Sequence, residues 1–160
     1  MTPLQRAFLS TVLRYVALVH GRGDRDGELA SLRALLESPQ GQRDDRRRWR
    51  RLALALPATT RNTDLQAPAQ IVDVGAGGMR LDNLGHLRLR PGDRVVVSLL
   101  PPPSAVRIDV PCEVVRAGPG SELGVRFCGR PLTLHRTLQP PLATRRPGGT
   151  ARMGAVDDAA

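Results

Sequence analysis

At 160 residues the chain is long enough for one domain with its own core and a small extension. The formal net charge is +9 and every basic residue is arginine, the cation that forks onto phosphate oxygens and guanine edges, so the expected partner is anionic: nucleotide, nucleic acid or a membrane surface. No uncharged stretch approaches the roughly 18 residues of a bilayer-spanning helix, and Cys112 and Cys128 stand sixteen positions apart with no CxxC or nearby histidine, which excludes a zinc cluster and leaves two small hydrophobes in a reducing cytosol.

The first element is helical. Leu4, Phe8, Val12, Tyr15 and Val19 recur at spacings of three and four, as one face of a helix over residues 3–20, and Gly21 and Gly23 stop it. Arg14 interrupts the apolar run and no small-x-small cleavage site follows, so the segment does not read as a signal peptide and a cytoplasmic location is expected. A second helix is expected after Asp26 as N-cap, with Leu29, Leu32, Leu35 and Leu36 on one side and "SPQGQ" ending it. Two short amphipathic helices cannot bury both faces on each other. They are left to pack on the main domain, on a second copy or on a protein partner.

After the charge run "DDRRRWRR" (44–51) the periodicity becomes two. Strands are expected at "LALALP" (52–57), "AQIVDV" (69–74), "GMRLD" (78–82), "DRVVVSLL" (93–100), "AVRIDVPCEVVRA" (105–117) and "ELGVRFCG" (122–129), divided by turn signals such as "RPGD" and "AGPGSE". Pro111 inside a strand suggests an edge or a bulge. The last twenty or so residues are rich in Pro, Gly and Ala and read as a disordered tail. The expected division is a helical segment at 1–42, a β-barrel domain at 43–138 and the tail at 139–160.

The stretch "QIVDVGAGGMRL" (70–81) has two readings. One is the first strand and nucleotide loop of a Rossmann-type methyltransferase, whose glycine loop must lead into a helix. Here it leads into "MRLDNLGHLRLRPGD", which is strand, turn and strand, so that reading fails on context. In the other, Asp73 and Gly78 belong to a ligand-contacting turn of a small antiparallel barrel.

In order and spacing, the arginine run and this turn resemble the PilZ domain, a six-stranded β-barrel that binds bacterial cyclic di-GMP. "RRWRR" puts Arg47 and Arg51 at the family's RxxxR positions, directly ahead of the first strand, and "DVGAGG" puts Asp73 and Gly78 at the ends of its (D/N)xSxxG motif, with Gly75 where the family has Ser. The likeness covers about residues 45 to 130. It implies a mainly β fold: a six-stranded antiparallel PilZ-like barrel with a short N-terminal helical extension. It also implies a cyclic di-GMP receptor whose ligand is held by Arg47, Arg51, Asp73, Gly75 and Gly78, with Arg46, Arg48 and Arg50 as further candidates because Arg46 and Arg50 form an overlapping RxxxR. By that analogy the arginine segment orders around the ligand and repositions the N-terminal helices toward a partner or a second copy. The chemistry is consistent from below. Guanidinium groups fork onto guanine O6 and N7 or onto phosphate, a carboxylate accepts from the guanine N1–H and N2–H edge, and glycine permits close approach and positive φ. Losing the Ser hydroxyl at 75 costs on the order of 1 kcal/mol.

Other readings stand beside this one. The arginines can be a solvated linker and the glycines a plain turn. Trp49 reads as a hydrophobic plug before a stacking platform, and Phe127 as core. A ligand-free adaptor keeps the barrel and uses the helices. A nucleic-acid-binding barrel would use the arginines on phosphates, but such proteins want exposed aromatics for stacking, and the chain has only Phe8, Tyr15, Trp49 and Phe127. His20, His86 and His135 are scattered, and no nucleophile elbow, Walker loop or carboxylate pair is present, so neither an enzyme, a metal nor a cofactor is expected.

Overall fold

A computed structural model describes residues 1–21, 27–37, 48–104 and 106–134. Two helices, α1 (Pro3–Val19) and α2 (Glu28–Leu36), precede seven strands: β1 (Arg51–Arg61), β2 (Gln66–Gly75), β3 (Gly78–Asp82), β4 (Arg94–Leu99), β5 (Arg107–Ala117), β6 (Glu122–Phe127) and β7 (Leu132–Leu134). The expected tail lies outside the described residues.

All strand pairings are antiparallel. The order is β4-β1-β2-β3-β6-β5-β7, and β4 also pairs with β5, which closes six strands into a barrel. The short β7, unforeseen from the sequence, adds to the start of β5. Alternation explains the filling: Leu54 and Leu56, Met79 and Leu81, Val95, Val97 and Leu99, and Leu123, Val125 and Phe127 all point inward and are buried. Phe127 is core, as expected.

Pro111 is neither on an edge nor at a bulge. It pairs with Val96 of β4, and its carbonyl accepts from Cys128 N at 3.0 Å. The nitrogen of an antiparallel residue faces the same side as its carbonyl. Pro111 therefore aims its missing donor at Cys128, which stands opposite it, and the β5–β6 ladder ends there with the return bond unmade. Cys112 is buried beside it, and burial first, then the neighbouring Cys128, raise its thiol above the ordinary range. Cys128 is only half-buried, because β6 ends one residue earlier.

The helices form one hydrophobic cluster with the barrel. Helix α1 starts with a full capping box, Thr2 as N-cap, Pro3 at N1 and Gln5 at N3, and Gln5 Nε2 donates to Ala53 O of β1 at 3.0 Å. Its buried stripe is Leu9, Val12 and Val16, while Leu4 is 71% exposed and Val19 46%. The stripe is thus rotated from the expected one, since α1 must face both α2 and the outer side of β1 and β2. Helix α2 is capped by Gly27 in the left-handed region at φ 72°, not by Asp26, which lies outside the described residues. Of its four expected apolar positions only Leu36 is fully buried.

Candidate functional site

Three local irregularities build one outer face of the barrel. Strict alternation from the buried Ile71 would aim Asp73 into the core. A bulge in β2 between those two residues resets the phase, so Val74 is buried and Asp73 faces outward at the end of the strand. A second irregularity, in β1 between Ala53 and Leu56, keeps Ala53 opposite Asp73. A third, in β5 between Val114 and Arg116, leaves Val115 and Arg116 both exposed on the same side.

Asp73 is the hub. Its side chain is 13% exposed and each carboxylate oxygen holds an arginine. Arg51 places Nε and Nη2 on Oδ1, and Arg80 places Nε 2.8 Å from Oδ2. Such charge-assisted forks fix direction as well as charge. Arg51, Asp73, Arg80, Val115, Arg116 and Gly124 line a cleft of about 290 Å³. Arg116 is also bonded to Glu122.

The glycines act by close approach. Gly75, Gly77 and Gly78 all lack a positive φ, so the expected left-handed role of Gly78 is not realised. A Cβ at Gly78 would lie 2.0 Å from the Val125 carbonyl oxygen, so only glycine lets β3 reach β6 here. A Cβ at Gly75 would lie 2.7 Å from the Arg50 carbonyl oxygen and 3.1 Å from Arg51 Cγ. Position 75 therefore does more than lose a hydroxyl. The missing side chain lets the arginine segment lie directly on the β2–β3 turn, opposite Arg51 in register.

The arginine segment divides its attachments. Arg50 N donates to Leu36 O and Arg50 Nε to Glu37 O, both at 2.9 Å. Arg48 Nε lies 3.4 Å from Glu37 Oε1, and its guanidinium sits 4.9 Å above the Trp49 ring. Trp49 bridges to Glu37, packs on Tyr15 with ring centres 5.4 Å apart at 57°, and approaches the place a Cβ of Gly77 would take to 3.3 Å. It is a plug, as read from the sequence, but one set between helix α1 and the turn. Arg46 and Arg47 lie outside the described residues. Of the five arginines singled out, Arg51 alone among the described ones reaches Asp73.

Arg80, Arg116, Val115 and Gly124 were missed by the sequence reading. Arg80 was within reach, because a two-residue turn at Ala76–Gly77 forces Asp73 opposite Arg80. Arg116 depends on the register of two distant strands and left no local signal. Among the described residues no cluster of His, Cys, Asp and Glu could hold a metal ion, and no helix is long and apolar enough to cross a membrane.

No curated protein matches the chain. The family model for the PilZ domain matches residues 45–140, which takes in the arginine segment, the whole barrel and the Asp73 turn. That family is in general one of cyclic di-GMP-binding effector domains rather than of enzymes. On that match, and with the closed six-stranded barrel it requires, the chain belongs to the PilZ domain family.

Proposed function

We propose that this protein is a cyclic di-GMP receptor that binds the dinucleotide with its arginine segment and the Asp73 turn and passes the event to its N-terminal helices. The observation that carries the reading is the Arg51–Asp73 pair, held at the mouth of an arginine-lined cleft by two bulged strands. Arg51 has five N–H donors and Asp73 four lone-pair positions, so both keep capacity for a guanine edge or a phosphate oxygen. Arg47, four positions earlier in the sequence, supplies the second guanidinium of the RxxxR pair, and Gly75 and Gly78 give the close backbone approaches on which the site is built.

The route to the helices is short. Arg48, Trp49 and Arg50 bind Glu37, Leu36 and Tyr15, while the next residue binds the site. A ligand that draws Arg51 and Arg47 toward itself competes with those contacts, and the helices shift population with the segment. A protein partner or a second copy would then read the helices.

A ligand-free adaptor is the second reading. It is favoured by one observation: Asp73 already has an arginine on each oxygen. Calorimetric titration of the full chain with cyclic di-GMP separates the two. Saturable binding is expected, weakened about 10- to 100-fold by Arg51→Ala or Asp73→Ala, the range for a lost hydrogen bond between charged groups. Absence of heat at high micromolar ligand, from a folded sample, would leave the adaptor.

A further inference from the structure

The outer face carries more than the motif residues. Reading across the strands, one rung runs Asp73 on β2, Arg80 on β3, Gly124 on β6 and Arg116 on β5, each paired with the next. The central strand offers no side chain there, so the two arginines stand two strand spacings apart, roughly 10 Å, over a bare stretch of backbone. Val115, pushed out by the β5 bulge and 49% exposed, supplies an apolar surface beside it. The adjacent rung is different. There β6 presents Arg126, which pairs with Glu113 of β5 at 3.1 Å and is not among the residues lining the cleft.

Gly124 is not required by packing. A Cβ there would meet Arg116 Cβ at 3.5 Å and Val115 Cγ2 at 3.7 Å, ordinary contacts. Its φ is not positive either. A strand position that tolerates a side chain and has none leaves an opening between two guanidinium groups, at the floor of the cleft that Arg51 and Asp73 border. At about 290 Å³ that cleft is at the small end of ligand sites, which run roughly 300–1,000 Å³. It suits one base with its phosphate better than a whole dinucleotide.

We infer that the Arg80–Gly124–Arg116 rung, with Val115, is a second subsite that takes the nucleotide half not held by Arg51 and Asp73; this rests on the receptor reading above. The phosphate lies between the two guanidinium groups and the flat purine covers Gly124 and Val115. Arg116 keeps donors free while bonded to Glu122, since a guanidinium has five. Arg80 serves both halves, holding Asp73 while it faces the phosphate.

The test is calorimetry of the full chain with cyclic di-GMP, comparing Gly124→Val, Arg116→Ala and, on the adjacent rung, Arg126→Ala. Valine fits a half-buried strand position such as this one, so thermal melting of Gly124→Val should match wild type. Its affinity should fall about tenfold or more, that of Arg116→Ala about fivefold, and that of Arg126→Ala by less than about twofold. If Gly124→Val and Arg116→Ala bind like wild type while Arg51→Ala does not, the rung is scaffold and the receptor reading survives alone. Equal losses in Arg116→Ala and Arg126→Ala would mean general surface charge, and the subsite falls. A wild-type chain that binds nothing overturns both.

Discussion

Arg50 and Arg51 are neighbours in the chain, yet one is spent on the end of a helix and the other on the carboxylate of Asp73. Extended backbone sends successive side chains to opposite sides, so a single step along the segment crosses from the latch (Leu36, Glu37, Trp49, Tyr15) to the cleft (Asp73, Arg80). The two regions differ in what holds them. The latch is made of one backbone hydrogen bond, the Arg50 side chain on the Glu37 carbonyl and a tilted pair of partly buried rings. The cleft is built on strand pairing, with its bulges and close backbone approaches. The difference means that the cleft can hold its shape if the latch lets go, which is the order of events the proposed receptor needs.

The strongest way to break this contrast is to attack the scaffold under the cleft. In Gly78→Ala the added methyl meets the Val125 carbonyl and the Arg126 backbone, neither of which can move without parting β3 from β6. Overpacking of this kind costs about 1–3 kcal/mol. Urea unfolding should show that loss with an unchanged slope. A stability equal to wild type would mean that β3 and β6 slide without penalty and that the cleft is no more rigid than the latch.

A smaller and more pointed change restores the family's residue. Gly75→Ser puts a side chain where the Arg50 carbonyl and Arg51 Cγ now lie, so the arginine segment must lift away from the turn. The hydroxyl adds a hydrogen-bonding group, but the displacement of Arg51 from Asp73 outweighs it. About 1 kcal/mol of overpacking corresponds to about a fivefold loss of cyclic di-GMP affinity. A gain in affinity would show that the segment moves freely and that position 75 matters only through its hydroxyl.

How much of this could be read from the residues follows the same division. The barrel strands, the β2–β3 turn and the core role of Phe127 were legible because alternation and turn chemistry are local. The outward aim of Asp73 was not, since Ile71-Val72-Asp73 in plain alternation points it inward and only the bulge in β2 reverses it. Arg116 was invisible for a related reason: its place opposite Gly124 depends on a shift in the β5–β6 register. The rotated stripe of α1 was set by two surfaces the helix had to satisfy at once. Leu4 therefore ended exposed while Leu9, one residue off the expected face, was buried.

The smallest effect separates the two regions most cleanly. Arg50→Ala removes the guanidinium that donates to Glu37 O and leaves Arg51, Asp73 and the turn untouched. An exposed hydrogen bond of this type is worth about 1 kcal/mol or less, so global stability should hardly change and ligand affinity should stay within about twofold. Trp49 lies in the latch and is the chain's single tryptophan, so its emission reports the latch without a label. Loosening Arg50 should let Trp49 leave Tyr15 and Gly77 for water, shifting its emission to the red, and the wild-type chain should show the same shift on adding cyclic di-GMP. If Arg50→Ala moves the emission and the ligand does not, the latch and the cleft are independent, and the helices are fixed structure rather than the output of the switch.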